Sequence, residues 1–123
     1  MAKTNIFLES AKSALSLSPV MEGREKLDTE DLLGDERLTI DEFDIVSLDG
    51  KQFGVCHFVE YPNNYYNGGA ILTKLFQNWA DLFNGEIETA SKNLKGSGGV
   101  PIRLSAARTK KGNNLTAVTV LYD

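Results

Sequence analysis

The chain has 123 residues, a hydrophobic fraction of 41% and a formal net charge of −4. That length suits one domain with a core that needs no cross-links, and no apolar run approaches the roughly 20 residues that cross a bilayer. A single cysteine, Cys56, excludes an internal disulfide, and with a single histidine it excludes the common zinc motifs.

Residues 1–20 read as an N-terminal arm ahead of one β-rich domain, 21–123. In the arm, Ile6, Phe7, Leu8, Ala11, Ala14 and Leu15 fall at near-helical spacing, and Pro19 ends the pattern. Lys3, Glu9 and Lys12 interrupt any apolar centre, so a secretory signal is not expected and the setting is read as reducing and cytoplasmic. The triplet Asn114-Leu115-Thr116 is then a chance match to a glycosylation site. An acid-rich stretch follows the arm, in which Asp28 or Thr29 caps a short turn through Leu32 and Leu33, closed by Gly34.

"RLTIDEFDIVSL" has strand chemistry with a break of phase. Leu38 and Ile40 share one parity, Phe43 and Ile45 the other, and a bulge near Asp41-Glu42 restores a common face. Asp49-Gly50 predicts a hairpin turn into "QFGVCHFVEY", where Phe53, Val55, His57, Val59 and Tyr61 share a face. Pro62 terminates that strand. "AILTKLFQNWADLF" predicts the one clear helix, with a stripe of Ile71, Leu72, Leu75, Phe76, Trp79, Leu82 and Phe83 and a stop at Asn84-Gly85. Glu86 to Leu94 reads as another short element, and Lys95-Gly96-Ser97-Gly98-Gly99 as a flexible linker. Two alternating runs around "TKKGNN" close the chain as a hairpin.

The order is β-β-α-β-β with an extra edge strand, supplied by residues 1–18 or by splitting the bulged segment. The expected fold is mainly β with one helix: a small OB-like barrel or curved antiparallel sheet. The alternative is an α+β sheet with the helix on one face.

Charge is unevenly placed. Residues 1–90 hold 7 basic and 16 acidic side chains, a balance of −9, whereas residues 91–123 hold 6 and 1, a balance of +5. The late cations are Lys92, Lys95, Arg103, Arg108, Lys110 and Lys111, four of them on the terminal hairpin. Such a group suits phosphates, or else it solubilises an edge strand. Tyr61, Tyr65 and Tyr66, with Phe58, cluster between the second strand and the helix. Single strands are held by basic grooves with aromatic faces, so the tyrosines are candidates for base stacking, with core packing as the plainer role, above all for Phe58. The acidic stretch 22–49, with 11 acids and 3 bases, is either a solvated face or a surface for a basic protein partner.

Sharper chemistry is missing. Asp31, Asp35 and Glu42 match three positions of a calcium loop, but Leu33 and Glu36 stand where it needs an oxygen ligand and a glycine. Cys56 and His57 are adjacent, so a strand sends them to opposite faces and they cannot form a nucleophile–base pair. "KGSGG" is glycine-rich but lacks the lysine followed directly by serine or threonine that a phosphate loop needs, and it is not expected to open a helix. No enzyme, metal or cofactor is expected.

Together, "LTIDEFDIVSLDGKQFGVCHFVEYPNNYYNGGAILTKLFQNW" and "GVPIRLSAARTKKGNNLTAVTVL" resemble small phage-encoded proteins of single-stranded-DNA-binding type from the replication or recombination region. The likeness covers roughly residues 35–123 and lies in pattern: an acidic-to-strand opening, an aromatic loop with Gly68-Gly69, a helix and a basic turn. It implies an OB-like nucleic-acid domain, oligomeric, of phage or prophage origin. Such proteins carry an acidic C-terminal tail, whereas here the acidic segment is the stretch 22–49, ahead of the expected barrel. The expectation is a non-enzymatic module for single-stranded nucleic acid, a possible homo-oligomer without membrane contact. Arg103, Arg108, Lys110 and Lys111 would hold phosphates, Lys92 and Lys95 would assist, and Tyr61, Tyr65 and Tyr66 would stack bases. The alternatives are an inhibitor-like module that meets a host protein through its acidic face or N-terminal arm, and a structural virion component.

Overall fold

Asp49 and Gly50 both take positive φ, 52° and 75°, the left-handed pair that lets a tight turn follow the twist of two antiparallel strands. They close β2 (Leu38–Leu48) onto β3 (Lys51–Phe58). The computed structural model describes residues 18–108, 111–112 and 114–121. Around this hairpin lie β1 (Glu25–Leu27), α1 (Thr29–Leu32), β4 (Asn64–Asn67), α2 (Ala70–Asp81), α3 (Ile87–Gly96), β5 (Val100–Arg108) and β6 (Asn114–Val120). The strands form one sheet in the order β1-β4-β3-β2-β5-β6, curled into a half-barrel. The fold is mainly β, as expected. All neighbours run antiparallel except β1 and β4, which are parallel.

The break of phase in β2 is a bulge. Ile40 pairs with Phe58 and Glu42 with His57, so Asp41 is the extra residue. The insertion returns Phe43 to the face that holds Leu38 and Ile40, all three at 2% exposure or less. On that face Cys56 and Phe58 meet Leu72 and Phe76 of α2 in the main core. The Phe43 ring lies 5.1 Å from that of Phe76, and Trp79 packs edge-on to Phe43 at 5.5 Å. Gly54 is required beneath this stack, because a Cβ there would sit 2.5 Å from Phe76 Cδ2. A smaller cluster of Val20, Val46 and Val55, with Met21, Phe53 and Tyr65 against it, covers part of the opposite face.

Several expectations change. Besides α2 there are a short α1 and a full α3, so the chain has more than one helix. The additional strands are β1 and β4, three and four residues long, and not pieces of the bulged segment. The α2 stripe is narrower than predicted: Ile71 and Leu82 are exposed. The "KGSGG" linker is a helix end. Ser97 and Gly99 donate their backbone N–H groups to Leu94 O at 3.1 Å, and Gly98 and Gly99 take φ of 92° and 86°. Finally, Ser18 and Val20 are already buried, with Ser18 Oγ donating to Asp44 Oδ2 at 2.6 Å. The folded domain therefore begins before residue 21. The predicted helical arm, up to residue 17, lies outside the described residues.

Candidate nucleic-acid interface

The basic hairpin is the end of the sheet that runs on past its neighbours. β5 pairs with β2 only through Val100, Pro101 and Ile102, opposite Ile40, Thr39 and Leu38. Its pairing with β6 continues to Arg108 and Asn114. At a rise of about 3.4 Å per residue, the two-stranded ribbon reaches roughly 20 Å beyond the last β2 pair. Alternation sorts its base: Ile102 and Leu104 are buried, while Arg103 and Ser105 are exposed. Arg103 faces Thr119 of β6, also exposed. Lys111 is exposed in the turn, beside Gly112 with φ 82°. Arg108 holds the end of β5, and Lys110 lies outside the described residues. No acid occurs between Val100 and Val120, so nothing within the ribbon offsets these cations.

Lys92 and Lys95 do not join them. Both lie on α3, which packs along β2. Lys92 Nζ is 3.1 Å from Glu88 Oε1, one helical turn away, and Lys95 Nζ is 3.6 Å from Glu42 Oε2. Glu42 lies C-terminal to the β2–β5 pairs, whereas the ribbon departs past Leu38 in the other direction. The two lysines balance local carboxylates, and their assisting role is corrected accordingly.

The tyrosines also separate. Tyr66 is 4% exposed, its ring 5.8 Å from that of Phe58, and its hydroxyl is 2.7 Å from Thr29 Oγ1. Burial raises its pKa. A ring so enclosed cannot stack on a base, which removes Tyr66 from the stacking set. Tyr61 donates its hydroxyl to Asp35 Oδ2 at 2.5 Å, and that bond raises its pKa. Tyr65 packs partly buried with Val20, Val46 and Val55 on the outer face, three strands away from β5. Only Tyr66 comes alongside the ribbon, and it does so as a wall. With Thr29, Asn67, Ile71, Leu104 and Thr116 it lines a crevice of about 220 Å³ where the half-barrel stays open. Thr29 and Asn67 were not legible as site residues, because only the curl of the sheet brings β4 and α1 opposite β5 and β6.

One titratable cluster lies elsewhere. The bulge turns both Asp41 and Glu42 toward His57: Nδ1 is 2.6 Å from Asp41 Oδ1 and 3.4 Å from Glu42 Oε2. Nε2 donates to Pro62 O at 3.2 Å. These are the three residues whose donor atoms converge closely enough to hold a metal ion among those described. Arg24 Nη2 already meets Glu42 Oε2 at 3.1 Å and donates Nη1 to Val20 O at 3.0 Å. With Lys95 approaching as well, two cations neutralise the carboxylate a metal would need, and the cluster reads as a tie between β2, β3, α3 and the entering chain. Cys56 is fully buried on the opposite face, where burial pushes its thiol pKa up. Cys56 and His57 therefore form no nucleophile–base pair. The carboxylates of the rejected calcium loop are engaged separately, with Asp31 accepting from Asp28 N, Asp35 on Tyr61 and Glu42 on Arg24. No helix among the described residues is long and apolar enough to cross a membrane.

No family model, curated protein or solved structure matches the chain.

Proposed function

We propose that this protein is a non-enzymatic binding module for single-stranded nucleic acid, with the β5–β6 ribbon as its phosphate-contacting arm. The observation that supports this reading is a ribbon with no acid in it, extending past the sheet and bearing exposed Arg103 and Lys111 in an otherwise acidic chain. A two-stranded ribbon alone is marginal in water, and cations that repel one another at its end destabilise it further. A polyanion along the arm relieves that repulsion and releases its own counterions. The crevice at the base of the arm has room for one planar group, with exposed Ile71 as its apolar wall and Asn67 and Thr29 as polar ones. Single-stranded chains present their bases freely to such a crevice, whereas duplexes do not.

The likeness to phage single-stranded-DNA-binding proteins agrees with this reading, and the role proposed is in phage or prophage replication or recombination. The test is a set of exposed-site variants, Arg103→Gln, Lys111→Gln and the pair. Each should weaken oligonucleotide binding by a similar factor on every sequence tried, as loss of a phosphate contact does. Single strands should compete better than duplex of equal length. If the variants bind as the parent does, the ribbon is only a solubilising edge, and a protein partner for the acidic face becomes the better reading.

A further inference from the structure

The two edges of the sheet are built differently. β1 has three residues and carries Glu25 and Lys26, the short, charged design that resists strand addition. β6 has seven residues, no charge and no proline, and among the described residues it pairs with β5 alone. Leu121 donates its backbone N–H to Pro101 O at 2.9 Å, which sets the phase of the ladder. Arg103 with Thr119, and Ser105 with Ala117, are then the pairs that exchange hydrogen bonds. The same phase turns Val100 and Ile102 toward β2, and those residues do pair with Ile40 and Leu38. In β6, Ala117 and Thr119 spend their backbone groups on β5, while Thr116, Val118 and Val120 turn theirs outward to the free edge.

We propose that this edge binds a second copy of the chain, β6 against β6, antiparallel across a two-fold axis at Val118. In that register Val118 meets its mate, and Thr116 of one copy meets Val120 of the other, for about six N–H···O bonds. The edge is uncharged, so two copies approach without repulsion. Charge also selects the antiparallel arrangement. Lys111 lies seven residues from Val118, so the two basic tips end roughly 45 Å apart, well beyond a Debye length. A parallel pairing would place the tips side by side. Val118 and Val120 are half-buried in one copy and gain cover in the pair. This inference does not depend on nucleic-acid binding.

The two-fold register places Ala117 of one copy opposite Thr119 of the other on the outer face. Like charges there oppose each other directly. The experiment is sedimentation equilibrium, without nucleic acid, on the parent, on Ala117→Glu/Thr119→Glu, and on Ala117→Lys/Thr119→Lys. Far-ultraviolet circular dichroism checks that each variant is folded. The parent should dimerise at about 1–100 µM, and each double variant should raise the dissociation constant at least about tenfold. An equimolar mixture of the Glu and Lys variants should recover the dimer. A parent that is monomeric throughout this range overturns the proposal. So does a parent dimer that survives both variants, or a mixture that fails to reassociate.

Discussion

Replacing Gly54 by alanine adds one methyl group at the seam between β3 and α2, and its effect follows from the packing there. An ideal Cβ would lie 2.5 Å from Phe76 Cδ2, 3.0 Å from Cε2 and 3.1 Å from the Thr73 Cα. The ring cannot swing away, since Phe76 is fully buried with Phe43 at 5.1 Å and Trp79 at 5.5 Å. Nor can the helix lift freely, because Gly54 N donates to Thr73 Oγ1 at 2.8 Å and Gly68 N to Gly54 O at 2.8 Å. Overpacking of this kind costs about 1–3 kcal/mol, and with ring and helix both held the upper end is expected. The assay is urea unfolding followed by Trp79, the only tryptophan in the chain. Gly54→Ala should lower the unfolding free energy by about 3 kcal/mol, seen as a lower urea midpoint at unchanged slope. Phe76→Leu in the same background should recover part of the loss, giving a non-additive pair. A loss under about 0.5 kcal/mol, or full additivity, would refute the packing argument.

The remaining predictions test the α3–β5 connection and the buried thiol. Gly98 and Gly99 have similar positive φ, but only Gly99 has a neighbour in the way, with Ile40 O 2.6 Å from its would-be Cβ. Gly98→Ala should cost about 1–2 kcal/mol for the backbone conformation, and Gly99→Ala clearly more, measured in the same urea experiment. For Cys56 the sign is fixed by burial: the folded thiol has a raised pKa, so above the unfolded value the unfolded chain holds fewer protons than the folded one. Stability should therefore fall as pH rises past about 8.5, at up to about 1.4 kcal/mol per unit. Cys56→Ala should remove that slope between about pH 8.5 and 9.5, and a slope that persists would point to another group.

The parts of the fold legible in the sequence are those whose signal is local. The change of parity between Ile40 and Phe43 announces the bulge, Asp49-Gly50 announces its turn, and the Leu72–Leu75–Phe76–Trp79 spacing announces α2. The strands β1 and β4 leave no such trace, because three or four residues are too few for a period to show. β4 is a strand because Cys56 and Val55 pair with Tyr66 and Asn67, and that pairing is what buries Tyr66. The same non-local logic explains Lys92 and Lys95. Their nearness in sequence to the hairpin suggested a shared surface, but α3 folds back along β2 and hands Lys95 to Glu42. The glycines of "KGSGG" looked like freedom and are instead the conformational requirement for a tight exit from a helix. The hairpin cations were legible as a charge pattern. Their placement on a ribbon that leaves the sheet required the β2–β5 register.

The central claim is that this ribbon holds a polyanion, and salt dependence tests it most directly. The measurement is fluorescence anisotropy of a labelled oligo-dT of about 20 nucleotides, longer than one typical site, titrated across a salt series. Four ribbon cations on a single strand predict micromolar or tighter binding at low salt, with log affinity falling against log salt at a slope near −3. In the Arg103→Gln/Lys111→Gln pair, the slope should shrink to about half. Absence of binding at low salt, or binding whose slope is near zero, would contradict the account.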